Sequence, residues 1–130
     1  SRATASPEVM RAVLEEVRRR RLFFLDSHTA VDSAVPAVAE ELRVGYAVNE
    51  LFLDNEGTPE AVRARLLDLV ARAARQGTAV GIGHARIATA EALAEELPRL
   101  MAAGVQFIPV SEAVRRPGSE PGAPAPTGCR

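Results

Sequence analysis

The sequence predicts an α/β fold of parallel βα repeats with about four strands. Three observations predict it. Short apolar runs alternate with stretches of helical periodicity roughly 10 to 18 residues long. Helix starts carry Ser or Thr followed by Pro or an acidic residue, and helix ends carry Gly or Arg. Three of the apolar runs lead directly into a short polar segment.

Taken in order, Ser6 is a good N-cap, Pro7 suits the first helical position and Glu8 sits well in the first turn. Val9, Met10, Val13, Leu14 and Val17 recur at helical spacing, and Arg18 to Arg21 complement the helix C-terminus. Leu22-Phe23-Phe24-Leu25 reads as a short buried strand ending in Asp26-Ser27-His28-Thr29. Asp32 or Ser33 then caps a helix to about Arg43, with Pro36 in its first turn and Gly45 after its end. A strand is expected within Tyr46 to Leu53, followed by Asp54-Asn55-Glu56-Gly57.

Thr58-Pro59-Glu60 opens a helix whose apolar positions include Val62, Leu66, Leu69, Val70 and Ala73, and Gly77 ends it. Thr78 to Ile82 reads as a strand leading to Gly83-His84-Ala85-Arg86. Thr89 is read as the cap of a helix to Ala103, with Pro98 as a point of kinking and Gly104 at C′. Val105 to Val110 reads as a last strand, and Ser111 starts a final turn. Pro, Gly, Ala and Ser dominate 117–130, which is expected to be a disordered tail behind a domain spanning 1–116.

The 130 residues suffice for one domain. Net charge is −1, so nothing in the balance draws the chain to nucleic acid or an anionic membrane. No apolar run approaches the roughly 18 residues of a membrane helix. The lone Cys129 can form no internal disulfide. The opening helix has no strand before it, so the domain is expected to begin partway.

Reactive side chains collect after the strands, where parallel α/β folds place their active sites. Asp26 suits a metal ligand or general base, or else caps its loop through backbone N–H groups. Ser27 and Thr29 suit loop hydrogen bonds. His28, two residues from Asp26, shares its face if the strand continues, and is then a second possible ligand. Asp54-Asn55 fits a site or a turn, and Glu50 just upstream is a candidate for the same mouth. His84, between small residues, fits a zinc ligand, a general acid, or a histidine satisfied by its loop. With two histidines, a complete three-ligand metal site inside this chain is not expected.

Three strand-end stretches in this order resemble the divergent polysaccharide deacetylase family of the glycoside hydrolase/deacetylase β/α-barrel superfamily. They are Leu22-Phe23-Phe24-Leu25-Asp26-Ser27-His28-Thr29, Leu51-Phe52-Leu53-Asp54-Asn55 and Gly81-Ile82-Gly83-His84. Phe107-Ile108-Pro109-Val110-Ser111 resembles the family's closing strand, and Ser1-Arg2-Ala3-Thr4 the end of an Asn-Asn-His-Met-Gly-Ser segment. The resemblance implies the C-terminal half of a deformed barrel of about seven strands. It implies metal-dependent hydrolysis of N-acyl groups on a glycan, with zinc the expected metal. Asp26, Asp54 and His84 carry over as catalytic candidates, and Ser27, His28, Asn55 and Glu50 as substrate contacts. His84 and Asp26 carry over as metal ligands, with further ligands upstream. Family members are often exported or anchored by an N-terminal segment.

The sequence departs from the family at three places. His28 stands where Arg is usual, Asn49-Glu50 replaces an Arg-Asp pair, and Ala85 replaces the Pro after His84. The departures at His28 and Asn49-Glu50 motivate an alternative, a non-catalytic glycan-binding or envelope-associated module. A phosphate-binding enzyme using Gly81 and Gly83 is a weaker third reading, since no Lys-Ser/Thr follows. A half barrel would leave unpaired strand edges, so self-association is expected.

Overall fold

The computed structural model describes residues 2–115, so the tail expected over 117–130, with Cys129, lies outside the described residues. The chain forms two compact units. One is built from the chain up to Val48 together with the stretch from Val110, and the other from Asn49 to Pro109.

The first unit contains α1 (Pro7–Arg19), β1 (Phe24–Asp26), α2 (Val35–Leu42) and β2 (Tyr46–Val48). Ser6 caps α1 as expected, its side chain accepting from Val9 N. Met10 and Leu14 on α1 meet Val35, Val38 and Ala39 on α2, with Val44 and Tyr46, in a buried core. β1 and β2 pair in parallel, Phe24 opposite Tyr46 and Asp26 opposite Val48. Phe24 packs on the helix core, whereas Leu25, its side chain on the other face by strand alternation, remains 38% exposed. Tyr46 and Arg115 exchange backbone hydrogen bonds of 3.1 and 2.8 Å in an antiparallel bridge.

The second unit contains β3 (Leu51–Phe52), α3 (Pro59–Gln76), β4 (Gly81–Ile82) and α4 (Ile87–Ala102). Thr58 caps α3 as expected, its hydroxyl accepting from Ala61 N. β3 and β4 pair in parallel, Leu51 opposite Gly81 and Phe52 opposite Ile82. Leu53, Val62 and Ala92 form the core, with Leu69 against it. A Cβ on Gly81 would stand 2.6 Å from Leu69 Cδ2, so this glycine lets α3 close on the strand. A Cβ on Gly83 would likewise stand 3.0 Å from Thr89 Cγ2, so both glycines serve packing.

Several boundaries differ from expectation. β1 begins at Phe24, because Leu22 is used in leaving α1, its N–H reaching Val17 O while Arg21 takes a positive φ. The strand expected within Tyr46 to Leu53 is divided, because Asn49 Oδ1 accepts from Leu51 N and turns the chain between β2 and β3. α2 ends with Arg43 in the left-handed region, not with Gly45, whose missing Cβ instead makes room for Val114. Thr89 lies inside the first turn of α4 and is not its cap, which is Arg86. α4 continues through Pro98, and Gly104 follows it with a positive φ as expected.

The strand expected over Val105 to Val110 is absent. Val105 N is taken by Leu100 O at the helix end, and the residues after it make no ladder hydrogen bonds. Phe107 and Ile108 remain exposed. A strand needs a neighbouring backbone, and this apolar run has none among the described residues.

Candidate functional site

In the second unit the strand ends build one connected group. Leu53 N donates to Ile82 O (2.8 Å), extending the β3–β4 pairing by one residue and fixing where Asp54 emerges. Asp54 is 1% exposed. Its carboxylate accepts three hydrogen bonds. His84 Nδ1 lies 3.0 Å from Oδ1, His84 N donates to Oδ2 at 2.7 Å, and Thr89 Oγ1 donates to Oδ2 at 3.0 Å. Arg86 Nη1 donates to the Asp54 carbonyl at 2.9 Å.

Such a carboxylate resists protonation. The hydrogen bond from the His84 ring is the largest cause, ahead of the opposing cost of burial. His84 N–H and the Thr89 hydroxyl add to it, and the Asp54 carboxyl falls to about 2. An acceptor-only Asp54 requires the proton on Nδ1 of a neutral His84 ring. The His84 side chain is 60% exposed, with the buried carboxylate on its Nδ1 edge. Nε2, the atom left over, carries the lone pair. This arrangement orients an imidazole so that its second nitrogen can accept or deliver a proton, or ligate a metal.

The first unit treats Asp26 differently. It is also 1% exposed, but its partners are local. His28 N donates to Oδ1 (2.9 Å) and Ser33 Oγ donates to Oδ2 (2.6 Å). Ser33 Oγ in turn accepts from Val35 N, so Asp26 ties its loop to the start of α2. β1 stops at Asp26 and His28 has φ +53, so the expected sharing of a face by the two side chains does not hold. The loop turns under the carboxylate instead. Ser27, His28 and Asn55 are exposed.

Glu50 stands before β3, at the opposite end of that strand from Asp54. Its Oε2 accepts from Gln76 Nε2 and its Oε1 from Val80 N, which ties the end of α3 to the chain entering β4. It therefore does not reach the mouth at which it was expected.

Thr89 and Arg86 were not read from sequence as site residues. A threonine near a helix start carries the same signal whether it caps the helix or reaches across to a strand end. Among the described residues no three His, Cys, Asp or Glu side chains come together as a set that could hold a metal ion.

Residues 1–114 match the family described as Divergent polysaccharide deacetylase. An uncharacterized protein of Haemophilus influenzae is 33% identical over 101 residues, covering 75% of this chain and 36% of that protein. The uncharacterized protein YibQ of Escherichia coli is 28% identical over 93 residues, covering 72% of this chain and 29% of YibQ. A crystal structure of an uncharacterized protein of Agrobacterium tumefaciens superposes with a TM-score of 0.82 at 24% identity, covering 85% of this chain and 45% of that one. It shares the fold. The chain thus spans less than half the length of each of these proteins. The match spans nearly all the described residues and settles the family: this chain belongs to the divergent polysaccharide deacetylases.

Proposed function

We propose that this chain is the proton-donating part of a hydrolase that removes N-acyl groups from glycans, and that it belongs to a β/α barrel. The observation that carries the reading is the Asp54–His84 pair, an imidazole held by a buried carboxylate with its outer nitrogen exposed. Amide cleavage needs a proton for the leaving amine, because an amide anion is a very poor leaving group. His84, protonated on Nε2, would deliver it, and Asp54 would stabilise the imidazolium while it carries the charge. Ser27, His28 and Asn55, exposed beside the strand ends, are proposed as substrate contacts.

The divalent metal implied by the resemblance, zinc by expectation, does not fit the described residues by themselves. Asp26 and His84 are only two proposed ligands, and among the described residues no three His, Cys, Asp or Glu side chains come together. A metal would need ligands from outside the described residues, and no step here runs through it.

The test is acyl release from N-acetylated oligosaccharides by the protein that carries this chain at its full natural length. His84→Ala should lower turnover about 10²- to 10⁴-fold, the usual contribution of a positioned acid. Unchanged turnover would end the reading. A second reading, a glycan-binding module without catalysis, is favoured by Glu50. It stands where the family carries the acid of an Arg-Asp pair, and here it is used on Gln76 and Val80. Saccharide binding without turnover by the same protein would support it.

A further inference from the structure

We infer that Thr89 is the positioning residue of the Asp54–His84 pair, its hydroxyl holding Asp54 Oδ2 so that Oδ1 stays aimed at His84 Nδ1. The inference rests on the reading of His84 as proton donor and adds a residue that the family motifs do not contain.

An aspartate turns about its last torsion through a broad well, so one hydrogen bond does not fix which oxygen faces the imidazole. Asp54 Oδ2 has two donors, His84 N at 2.7 Å and Thr89 Oγ1 at 3.0 Å. The first belongs to the residue being positioned and moves with its loop. Thr89 reaches the carboxylate from a helix, α4, and it is 4% exposed. A hydroxyl donating to a buried carboxylate makes a charge-assisted bond in a site that water does not compete for.

Thr89 is also committed to this direction. It stands in the first turn of α4, where no earlier helical turn competes for its hydroxyl, and the hydroxyl donates to Asp54. Its methyl group is seated against the strand, where a Cβ on Gly83 would stand 3.0 Å from Thr89 Cγ2. Gly83 therefore leaves room for the Thr89 rotamer that Asp54 requires. The carboxylate further lies beside the first turn of α4, where the helix favours negative charge.

The experiment uses the chain itself and reads the His84 tautomer by nitrogen NMR of the imidazole. Thr89→Val keeps the shape and removes the donor, and Thr89→Ser keeps the donor. Thr89→Val should reduce the Nδ1-protonated share of His84, while Thr89→Ser restores it. A folded Thr89→Val protein with the tautomer unchanged overturns the inference. Should that variant not fold, the unaltered chain decides. A Thr89 hydroxyl proton protected from exchange supports the inference, and one exchanging at the rate of a free hydroxyl overturns it. These readouts need no turnover, so a full-length protein without hydrolase activity would end the functional reading and leave this inference to the tautomer result.

Discussion

Asp54 and Asp26 show how far one residue type can be read from its place after a strand. Both follow apolar runs, both are buried, and both were candidates for the same chemistry. The sequence shows that each is a carboxylate at a strand end. It cannot show the partners, which lie 30 and 35 residues away for His84 and Thr89 but only 2 and 7 away for His28 and Ser33. The long-range set orients an imidazole and the local set makes a turn. The distinction has a pH signature. The folded-state pKa of Asp54 lies near 2, below its ordinary 3.8. Its contribution to stability is therefore complete above about pH 4 and is lost as pH falls toward 2. Thermal unfolding of the chain across that range should show a falling midpoint, and Asp54→Asn should flatten the fall. A fall of equal size in the variant would assign the acid sensitivity to other carboxylates.

Among the elements, the helices were legible and the short strands less so. Ser6-Pro7, Thr58-Pro59 and Gly104 mark their helix ends through local chemistry, and the structure follows them. The strands are two or three residues long and are defined by pairing partners that no local signal names. Asn49 dividing one expected strand, and Val105 giving its N–H to a helix end, are both cases of a competing local hydrogen bond. Two helices end on arginines with positive φ, Arg21 and Arg43, where glycine carries no Cβ penalty. Replacing either with Gly should raise stability by about 1 kcal/mol, measured by denaturant unfolding. A loss would mean that the arginine side chain contributes more than its backbone costs. Leu14 is fully buried between α1 and α2, so Leu14→Ala should cost about 2–5 kcal/mol in the same assay. The exposed Arg11–Glu41 pair joins the same two helices, and its removal should leave the unfolding midpoint nearly unchanged in that assay.

At the scale of the whole molecule, the α/β class and the family were legible because three motifs recur in order after strands, a pattern more informative than any one of them. The proposal that the chain forms part of a barrel rests on the same motifs and carries a physical consequence. Among the described residues each unit holds a sheet of two parallel strands, a size that is marginal without further partners. Leu22, Phe23 and Leu25 leave apolar surface exposed around β1. The isolated chain should therefore self-associate with rising concentration in sedimentation velocity. A monomer at every concentration would count against the half-barrel proposal.

The central claim is that His84 protonates the leaving amine. The most direct test compares two substrates in the full-length protein carrying His84→Ala, an N-acyl glycan and an acyl ester with an activated leaving group. The account predicts that amide turnover falls about 10²- to 10⁴-fold while the ester, which needs no protonation, is nearly unaffected. An equal fall for both substrates, or none for the amide, would contradict it.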